Sequence, residues 1–203
     1  MLKEYVLASG NPGKLREITA VLRPLGLVVR PQSDWQIGEA EETASTFIEN
    51  ALIKARHAAA YTGLPAIADD SGLVVSALNG EPGIFSARYA GHAADASANI
   101  DKLLIELGKT PGVNRQAYFF CAIVLLESAN DPAPLLATAL WHGEILPTPR
   151  GHGGFGYDPV FGVGNSGVSA AELDAEEKYQ VSHRGKALKK LLKLLHERDV
   201  GYR

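Results

Sequence analysis

The chain is organised around Ala66-Ile67-Ala68-Asp69-Asp70-Ser71-Gly72-Leu73, an apolar run that ends in two carboxylates, a hydroxyl and a glycine. The small and β-branched residues before Asp69 predict a buried strand, and Ser71-Gly72 predicts a turn into a second strand, Leu73-Val74-Val75. Adjacent carboxylates at the mouth of a buried strand repel each other and lose hydration, so we expect a divalent cation or a lysine beside them. A water-exposed Asx turn is the alternative interpretation.

The composition is that of an ordinary globular protein, with 46% hydrophobic and 21% charged residues among 203. Length and apolar content predict one domain, residues 1–203. The net charge of -3 gives no general attraction to nucleic acid or to a membrane surface, so neither is an expected partner. Any anion-binding site must therefore depend on a local cluster of lysine and arginine.

The single cysteine, Cys121, lies in an apolar run that predicts a buried strand, and one cysteine excludes an intrachain disulfide framework. This fits a reducing cytoplasm, and we expect a cytoplasmic protein. The first residues lead into a short strand-like run rather than a signal peptide, and no apolar stretch is long enough to span a bilayer.

A strand, a loop and a helix are predicted near the start of the chain. Residues 5–8 predict the strand, Ser9-Gly10-Asn11-Pro12-Gly13-Lys14 a tight loop, and residues 15–25 an amphipathic helix. The loop's backbone N–H groups, its polar side chains and the Lys14 ammonium can all hold phosphate oxygens. The loop is not a Walker A motif. A solvated turn with a surface lysine is the alternative.

A second helix is predicted over residues 45–61, after an acidic connection formed by residues 38–43. Its apolar stripe faces away from polar residues at helical spacing, which are Thr46, Asn50, Lys54 and His57. Glu49, three residues after Thr46, completes a capping-box pattern. Glu41 and Glu42 in the acidic connection could face a metal ion or form a solvated acidic loop.

The remaining pattern alternates helices and strands. It predicts helices over residues 95–107 and 170–178, two long strands over residues 116–126 and 135–145, and a terminal helix from Ser182 to about Glu197. The paired long strands favour an α/β fold with a mixed central sheet flanked by helices, rather than a purely doubly wound fold.

A glycine-rich segment, residues 151–161, holds four glycines around two aromatic residues. Such a backbone can approach a flat ligand closely while Phe155 or Tyr157 stacks on it, which suits a nucleobase. A glycine-rich hairpin with core aromatics is the alternative. His183 and Arg184 lie at the predicted start of the terminal helix, where donors converge on an acceptor or an anion.

Taken together, five segments resemble those of the Ham1-like inosine triphosphate pyrophosphatases, which in bacteria are the dITP/XTP pyrophosphatases. The similarity runs nearly from end to end, with the motifs in family order, and Ser9 stands where many relatives carry threonine. The segments are Ser9-Gly10-Asn11-Pro12-Gly13-Lys14, Phe47-Ile48-Glu49-Asn50-Ala51, Ala68-Asp69-Asp70-Ser71-Gly72-Leu73, Gly153-Gly154-Phe155-Gly156-Tyr157-Asp158-Pro159 and Ser182-His183-Arg184-Gly185-Lys186-Ala187-Leu188.

The resemblance implies an elongated, two-lobed α/β structure with the substrate in the cleft between the lobes. It implies a homodimeric, Mg²⁺-dependent nucleoside triphosphate diphosphatase that cleaves between the α- and β-phosphates. The implied substrates are ITP, dITP and XTP, and the products are a nucleoside monophosphate and pyrophosphate. Such an enzyme would cleanse the nucleotide pool and keep these purines out of DNA and RNA.

The resemblance also implies roles for individual residues. Glu41 and Asp70 would bind the metal, and Asp70 would accept a proton from the attacking water. The substrate would contact Ser9, Gly10, Asn11, Pro12, Gly13, Lys14, Lys54 and Ser71. The base pocket would consist of Phe155, Gly156, Tyr157, Asp158, Lys178, His183 and Arg184. Metal contacts from Glu42, Glu49 or Asp69 stay open.

Two other functions fit part of the pattern. One is a related pyrophosphatase that acts on pyrimidine or methylated nucleotides, and the other is a nucleotide-binding module that senses without hydrolysing. Intact Asp70, Glu41 and Lys14 argue against a sensor, which needs no metal-bound base. The aromatic and arginine content of residues 84–89 is typical of an interface and fits the implied dimer.

Overall fold

A computed structural model describes residues 4–91, 95–164 and 167–200 of the chain. The elements, in chain order, are β1 (Glu4–Leu7), α1 (Pro12–Leu22), β2 (Val28–Pro31), α2 (Phe47–Thr62), β3 (Ala66–Val75), α3 (Ala96–Gly108), β4 (Gln116–Leu126), β5 (Leu135–Ile145), β6 (Phe161–Val163), α4 (Ala175–Val181) and α5 (His183–Val200).

The six strands form one sheet in the order β2-β1-β3-β4-β5-β6. Both β2 and β3 run parallel to β1, whereas β6 runs antiparallel to β5. The sheet is therefore mixed, and the predicted α/β fold with helices beside a mixed sheet is confirmed. Among the described residues, no helix combines the length and the apolarity that crossing a bilayer requires.

The two long strands have the predicted bounds, because continuous or alternating apolar residues mark each of them in the sequence. All side chains from Cys121 to Leu126 in β4 are buried, a continuous apolar run typical of a strand covered on both faces. In β5, Ala137, Ala139 and Trp141 are buried while the residues between them are not, which is the two-residue period of a strand covered on one face. Burial raises the pKa of the Cys121 thiol to about 12.

The prediction of a turn at Ser71-Gly72 is wrong, because β3 continues without a break from Ala66 to Val75. Leu73 and Val75 are fully buried, and the Leu73 N–H donates to the Ser86 hydroxyl at 2.9 Å. Burial of these side chains favours continuing the strand over reversing the chain. As a result, Asp69 and Asp70 lie within a strand, where successive side chains point to opposite faces.

The first helix begins at Pro12, three residues earlier than predicted. The Asn11 side chain caps it by accepting hydrogen bonds from the Gly13 and Lys14 N–H groups, at 2.8 and 3.2 Å. Proline is favourable at the first helical position because the N–H that it lacks would have no helical partner. The predicted loop from Ser9 to Lys14 is therefore half loop and half helix N-terminus.

The helix predicted over residues 170–178 begins later, at Ala175. Asp174 caps it in a reciprocal capping box with Glu177. The residues before it are engaged elsewhere, because the Ala170 N–H donates to the Phe161 carbonyl oxygen at 2.8 Å. The predicted capping pattern at Thr46 is present in part: its hydroxyl accepts from the Glu49 N–H and donates to the Glu49 carboxylate.

The chain forms two compact units. The first comprises Met1–Asp70, Cys121–Ala139 and Arg184–Arg203, and the second comprises Ser71–Phe120 and Leu140–His183. Buried apolar side chains of the first unit include Ile18, Leu22, Ala55, Leu188 and Leu191. The core of the second unit includes Leu73, Leu103, Phe119, Trp141 and Phe161. A single domain over residues 1–203, with substrate bound between two lobes, stays a prediction.

Candidate active site

The two adjacent aspartates of β3 have separate cationic partners. Asp69 is fully buried, and its Oδ2 lies 3.2 Å from Lys14 Nζ and 3.2 Å from Arg184 Nη2. Asp70 Oδ1 lies 2.8 Å from Lys54 Nζ. The expectation that positive charge compensates this carboxylate pair is therefore confirmed, and lysine and arginine side chains provide it.

Arg184 is buried and bound to two carboxylates. Its Nε and Nη2 both donate to Asp69 Oδ2, and its Nη1 donates to Glu17 Oε2 at 2.6 Å. Only 2% of its surface is exposed. Burial alone would lower the pKa of this guanidinium, but the Asp69 charge outweighs burial and raises it. The residue expected in a base pocket thus lies against Asp69 and Glu17.

The electrostatic state of Asp69 follows from these contacts. Burial by itself would raise the pKa of the carboxyl, since it penalises the charged form. The charges of Lys14 and Arg184 outweigh burial and hold the Asp69 pKa well below its usual range. Asp69 is therefore an ionised group that fixes two cations, and it is poorly suited to accept a proton.

Asp70 has a different environment. Lys54 Nζ lies 2.8 Å from Asp70 Oδ1 and 2.8 Å from Glu42 Oε1. The second oxygen, Asp70 Oδ2, is buried and has no hydrogen-bond partner among the described residues. Burial raises the pKa of Asp70 against the opposing charge of Lys54. A carboxylate with a raised pKa and an unused oxygen is suited to accept a proton or bind a cation.

The expected phosphate-binding segment lies beside this cluster in the first unit. Ser9 Oγ accepts from the Asn11 N–H at 3.2 Å, and the Lys14 ammonium reaches Asp69. A Cβ atom on Gly10 would lie 2.6 Å from Glu39 Oε1, so the acidic connection approaches the loop closely there. The segment combines a helix N-terminus with a lysine, as an anion site requires.

The acidic connection places its two candidate glutamates differently. Glu42 pairs with Lys54, whereas Glu41 is exposed and makes no hydrogen bond or ion pair within the described part of the chain. The family resemblance implied that Glu41 binds the metal and left Glu42 open. Glu17 was not predicted from the sequence, although it lies three residues after Lys14, at a spacing that puts both on one helical face.

A second cluster lies in the second unit. Lys178 Nζ is 2.6 Å from Asp158 Oδ2 and 4.9 Å from the centre of the Phe155 ring. Asp158 Oδ2 also accepts from the Phe155 N–H at 2.7 Å. Gly154 has φ 72°, and a Cβ atom there would collide with Asp158 Oδ2. The structure thus brings together an aromatic face, a carboxylate and an ammonium from residues that the family resemblance assigns to the base pocket, and their role in binding a base stays a prediction.

Other residues of the expected base pocket are used in packing. The buried Tyr157 donates its hydroxyl to the Ser86 carbonyl oxygen at 2.9 Å. The His183 ring stacks on Phe119, with ring centres 4.7 Å apart and an interplanar angle of 11°. Gly156, at φ 62°, lies in the turn between Phe155 and Tyr157. Ser71 follows Asp70 directly on β3 and is half-buried.

The described residues contain no group of three or more histidine, cysteine, aspartate or glutamate side chains that could hold a metal ion. Mg²⁺ needs fewer protein ligands, because it keeps several of its waters and binds through one or two carboxylates. Asp70 Oδ2 and the exposed Glu41 carboxylate are available oxygen donors in the first unit. The donor set therefore fits a hard, oxygen-binding cation.

Fold and site together describe an α/β protein with a buried carboxylate pair, lysines paired with those carboxylates, and an aromatic and charged cluster in the second unit. The Ham1 family matches residues 5–194, and the chain belongs to that family. The resemblance recognised from the motifs is thereby confirmed.

The chain is similar to several named members. It is 52% identical to the dITP/XTP pyrophosphatase of Vibrio cholerae serotype O1 over 196 residues, which cover 97% of this chain and 98% of that protein. It is 54% identical to the dITP/XTP pyrophosphatase of Shigella flexneri over 194 residues, covering 96% and 98%. The solved structure of a HAM1 protein from Coxiella burnetii has a TM-score of 0.90 and 52% identity, covering 96% of this chain and 99% of that one.

The contacts of Arg184 lead to a prediction about stability. Arg184→Met should lower the free energy of unfolding by about 3–5 kcal/mol, because it leaves Asp69 as a buried charge short of a partner. Denaturant titration measures this loss. Adding Asp69→Asn to Arg184→Met should cost less than Asp69→Asn costs alone, since the two groups interact.

Arg30→Met is the matched control for that variant. Arg30 also pairs with two carboxylates, Asp34 and Glu4, but at an exposed position where water screens the charges. We expect little change in stability. Equal losses from Arg30→Met and Arg184→Met would contradict a special role for the buried network.

Proposed function

We propose that this chain hydrolyses ITP, dITP and XTP to the nucleoside monophosphate and pyrophosphate, and so cleanses the nucleotide pool of non-standard purines. The single observation that carries the proposal is Asp70, whose Oδ1 is paired with Lys54 while its buried Oδ2 has no partner among the described residues. The names of the similar proteins, dITP/XTP pyrophosphatases, support the same activity.

In the proposed reaction, the oxygen of a water molecule forms a bond to the α-phosphorus. The bond between that phosphorus and the oxygen bridging to the β-phosphate breaks, and pyrophosphate leaves with the electron pair. The Asp70 carboxylate accepts the proton that the water gives up. The raised pKa of Asp70 supports this role, because a base is most effective when its pKa approaches the working pH.

The triphosphate needs neutralising charge and fixed positions more than covalent help. Lys14 and Lys54 supply two ammonium groups, and the N-terminus of α1 adds the positive end of a helix dipole. Asn11 holds the first turn by accepting from two backbone N–H groups, which leaves the Ser9 to Lys14 segment in a defined conformation. Ser71, next to Asp70, would complete the contacts to substrate.

We include Mg²⁺ as the cofactor, held by Asp70 and Glu41. When bound, this cation would neutralise charge on the polyphosphate and polarise the attacking water. Glu42 is engaged by Lys54, whereas Glu41, the glutamate next to it, is exposed and available.

Base selection is assigned to the cluster of Phe155, Asp158 and Lys178. The purine would stack on Phe155, and the Lys178 ammonium would donate to the 6-oxygen of hypoxanthine or xanthine. Adenine carries an amino group at that position, which would leave the donor without an acceptor. Guanine keeps the 6-oxygen, so its 2-amino group must be refused near residues 155–158. Arg184 is excluded from this role in the proposal, since Asp69 and Glu17 engage it.

The proposal extends to a cytoplasmic homodimer. Phe85 is 53% exposed, with the Arg88 guanidinium 5.3 Å from the centre of its ring, and such aromatic and arginine pairs are frequent in interfaces.

Light scattering at micromolar concentration should give the mass of a dimer, and a monomer mass would reject the assembly.

Asp70→Asn tests the base directly. The variant should fold and bind nucleotide but turn over ITP about 100-fold more slowly or worse, because the amide oxygen is a far weaker proton acceptor. Single-turnover release of pyrophosphate measures the chemical step, and equilibrium binding of ITP checks the ground state. The exposed Asp101→Asn in α3 is the matched control and should keep full activity. Near wild-type turnover by Asp70→Asn would remove Asp70 as the base.

Selectivity tests the proposed function as a whole. We compare kcat/KM for pyrophosphate release from ITP, XTP, GTP, ATP and dTTP, each with Mg²⁺ and with excess chelator. ITP and XTP should lead ATP by about 10⁴-fold, since a site built to donate to the 6-oxygen strands its donor against adenine. Lys178→Met should lose most of that lead. Preference for dTTP would indicate a pyrimidine enzyme, and binding without hydrolysis would indicate a sensor.

A further inference from the structure

The polar face of α2 holds the acidic connection at three points. The Asn50 amide oxygen accepts from the Ala44 N–H at 3.0 Å, Lys54 Nζ contacts Glu42 Oε1 at 2.8 Å, and His57 Nε2 lies 3.1 Å from the Gly38 carbonyl oxygen. The contacts follow one another along the helix while the connection runs in the opposite direction. Residues 38–44, which we call the acidic segment, are thus bound to one helix at both ends and near the middle.

The two end contacts constrain a segment that is longer than the distance it spans. Asn50 and His57 are seven residues apart, about 10 Å along the axis of an α-helix. The six steps from Gly38 to Ala44 could extend to about 20 Å. Because the extended length of the segment exceeds the distance that it spans, chain connectivity alone does not fix which residue faces Lys54. The contacts of Asn50 and His57 supply a constraint of this kind.

Asn50 is fully buried, and it uses its amide oxygen on the segment alone. Its amide nitrogen is also buried and has no hydrogen-bond partner within the described residues. An aliphatic side chain of similar size would fill this space without stranding a donor. The cost of the unmet donor indicates that the bond to Ala44 matters for more than packing.

His57 supplies the other anchor. The Gly38 carbonyl is only an acceptor, so His57 Nε2 must carry a proton and donate. The neutral Nε2–H form and the doubly protonated form can both do this. The ring also contacts the Tyr61 ring at 4.9 Å between centres, one helical turn further on.

Between these anchors, the segment presents two adjacent glutamates that are chemically the same. Lys54 takes Glu42, and Glu41 stays exposed without an ion pair in the described part of the chain. A slip of one residue in one direction would put Glu41 opposite Lys54 and Ala40 in the place of Glu41. A slip in the other direction would put Glu42 in the place of Glu41 and Thr43 opposite Lys54. Glu39 Oε1, which approaches Gly10 closely, would move as well.

We propose that Asn50 and His57 are positioning residues that fix the register of the acidic segment, so that Glu42 pairs with Lys54 and Glu41 is left for a divalent cation. The inference rests on the proposed function in its assignment of Glu41 to the metal. In this proposal both residues act through the segment rather than on the substrate.

The first test asks whether the two side chains anchor the segment, and it does not depend on catalysis. Hydrogen exchange of the backbone amides in residues 38–44 is compared in wild type, Asn50→Leu and His57→Leu. Exchange of the Ala44 amide should become at least tenfold faster in Asn50→Leu, because its acceptor is gone. His57→Gln keeps a donor for Gly38 and should restore wild-type protection. Unchanged exchange in both leucine variants would overturn the proposal.

The second test asks whether the anchors distinguish Glu41 from Glu42. The probe is Mn²⁺ binding without nucleotide, followed by calorimetry. In the wild-type background, Glu41→Gln should weaken Mn²⁺ binding about 10–100-fold more than Glu42→Gln does. In the Asn50→Leu or His57→Leu background, that difference should fall to less than about threefold, since either glutamate can then reach either partner. A change of ligand-supporting groups typically costs 10–100-fold in metal affinity.

Controls separate this inference from misfolding and from failure of the proposed function. Arg56→Gln changes an exposed neighbour on α2 and should leave exchange and Mn²⁺ binding as in wild type. The half-buried His57 gives a variant less prone to unfold than Asn50→Leu, and thermal melting verifies both. If wild type fails to hydrolyse ITP, the proposed function fails while the exchange test still decides the anchors. If wild type is active but Glu41 and Glu42 remain distinct without the anchors, only this inference fails.

Discussion

A carboxylate with no exposed surface needs cationic partners held in place beside it, because water cannot solvate its charge. Asp69 is such a carboxylate, and the first unit is arranged around its partners. Its partners come from distant parts of the sequence, with Lys14 near the start of α1 and Arg184 near the start of α5. Arg184 in turn binds Glu17, one helical turn beyond Lys14. The helices α1 and α5 and the strand β3, which are far apart in the sequence, are thereby joined in one electrostatic network. Removing one member of such a network leaves a buried charge without its partner, so the arrangement depends on all of them.

The neighbouring carboxylate shows how a strand can supply two chemical environments with consecutive residues. Asp69 faces two cations and stays ionised, whereas Asp70 shares a single lysine with Glu42 and keeps one oxygen unused. The alternation of side chains along β3 separates the two environments with no intervening structure. A turn at Ser71-Gly72 would have placed both carboxylates at the end of a strand rather than within one.

The sequence predicted the features that depend on local patterns. The bounds of β4 and β5 follow from continuous and alternating burial, and the polar face of α2 follows from helical spacing. The cationic compensation of the aspartates follows from electrostatics. The contact of Lys178 with Asp158 and Phe155 joins residues that only the family resemblance had grouped. The errors concern long-range contacts. Nothing near Arg184 in sequence shows that Asp69 and Glu17 would engage it, and nothing near Glu42 separates it from Glu41. The burial of Leu73 and Val75, which favours continuing β3 to Val75, likewise depends on a core formed by residues distant in sequence.

The lone cysteine has a practical consequence for experiments on this protein. The Cys121 thiol is buried in β4 and its pKa is raised to about 12, so very little of it exists as the reactive thiolate near neutral pH. A cysteine introduced at an exposed site would therefore carry a fluorophore or spin label selectively, with the native residue left in place. Modification of Cys121 itself would be slow, and its rate would report how often β4 becomes accessible to solvent. Cys121 is thus a native probe of the local unfolding that exposes β4.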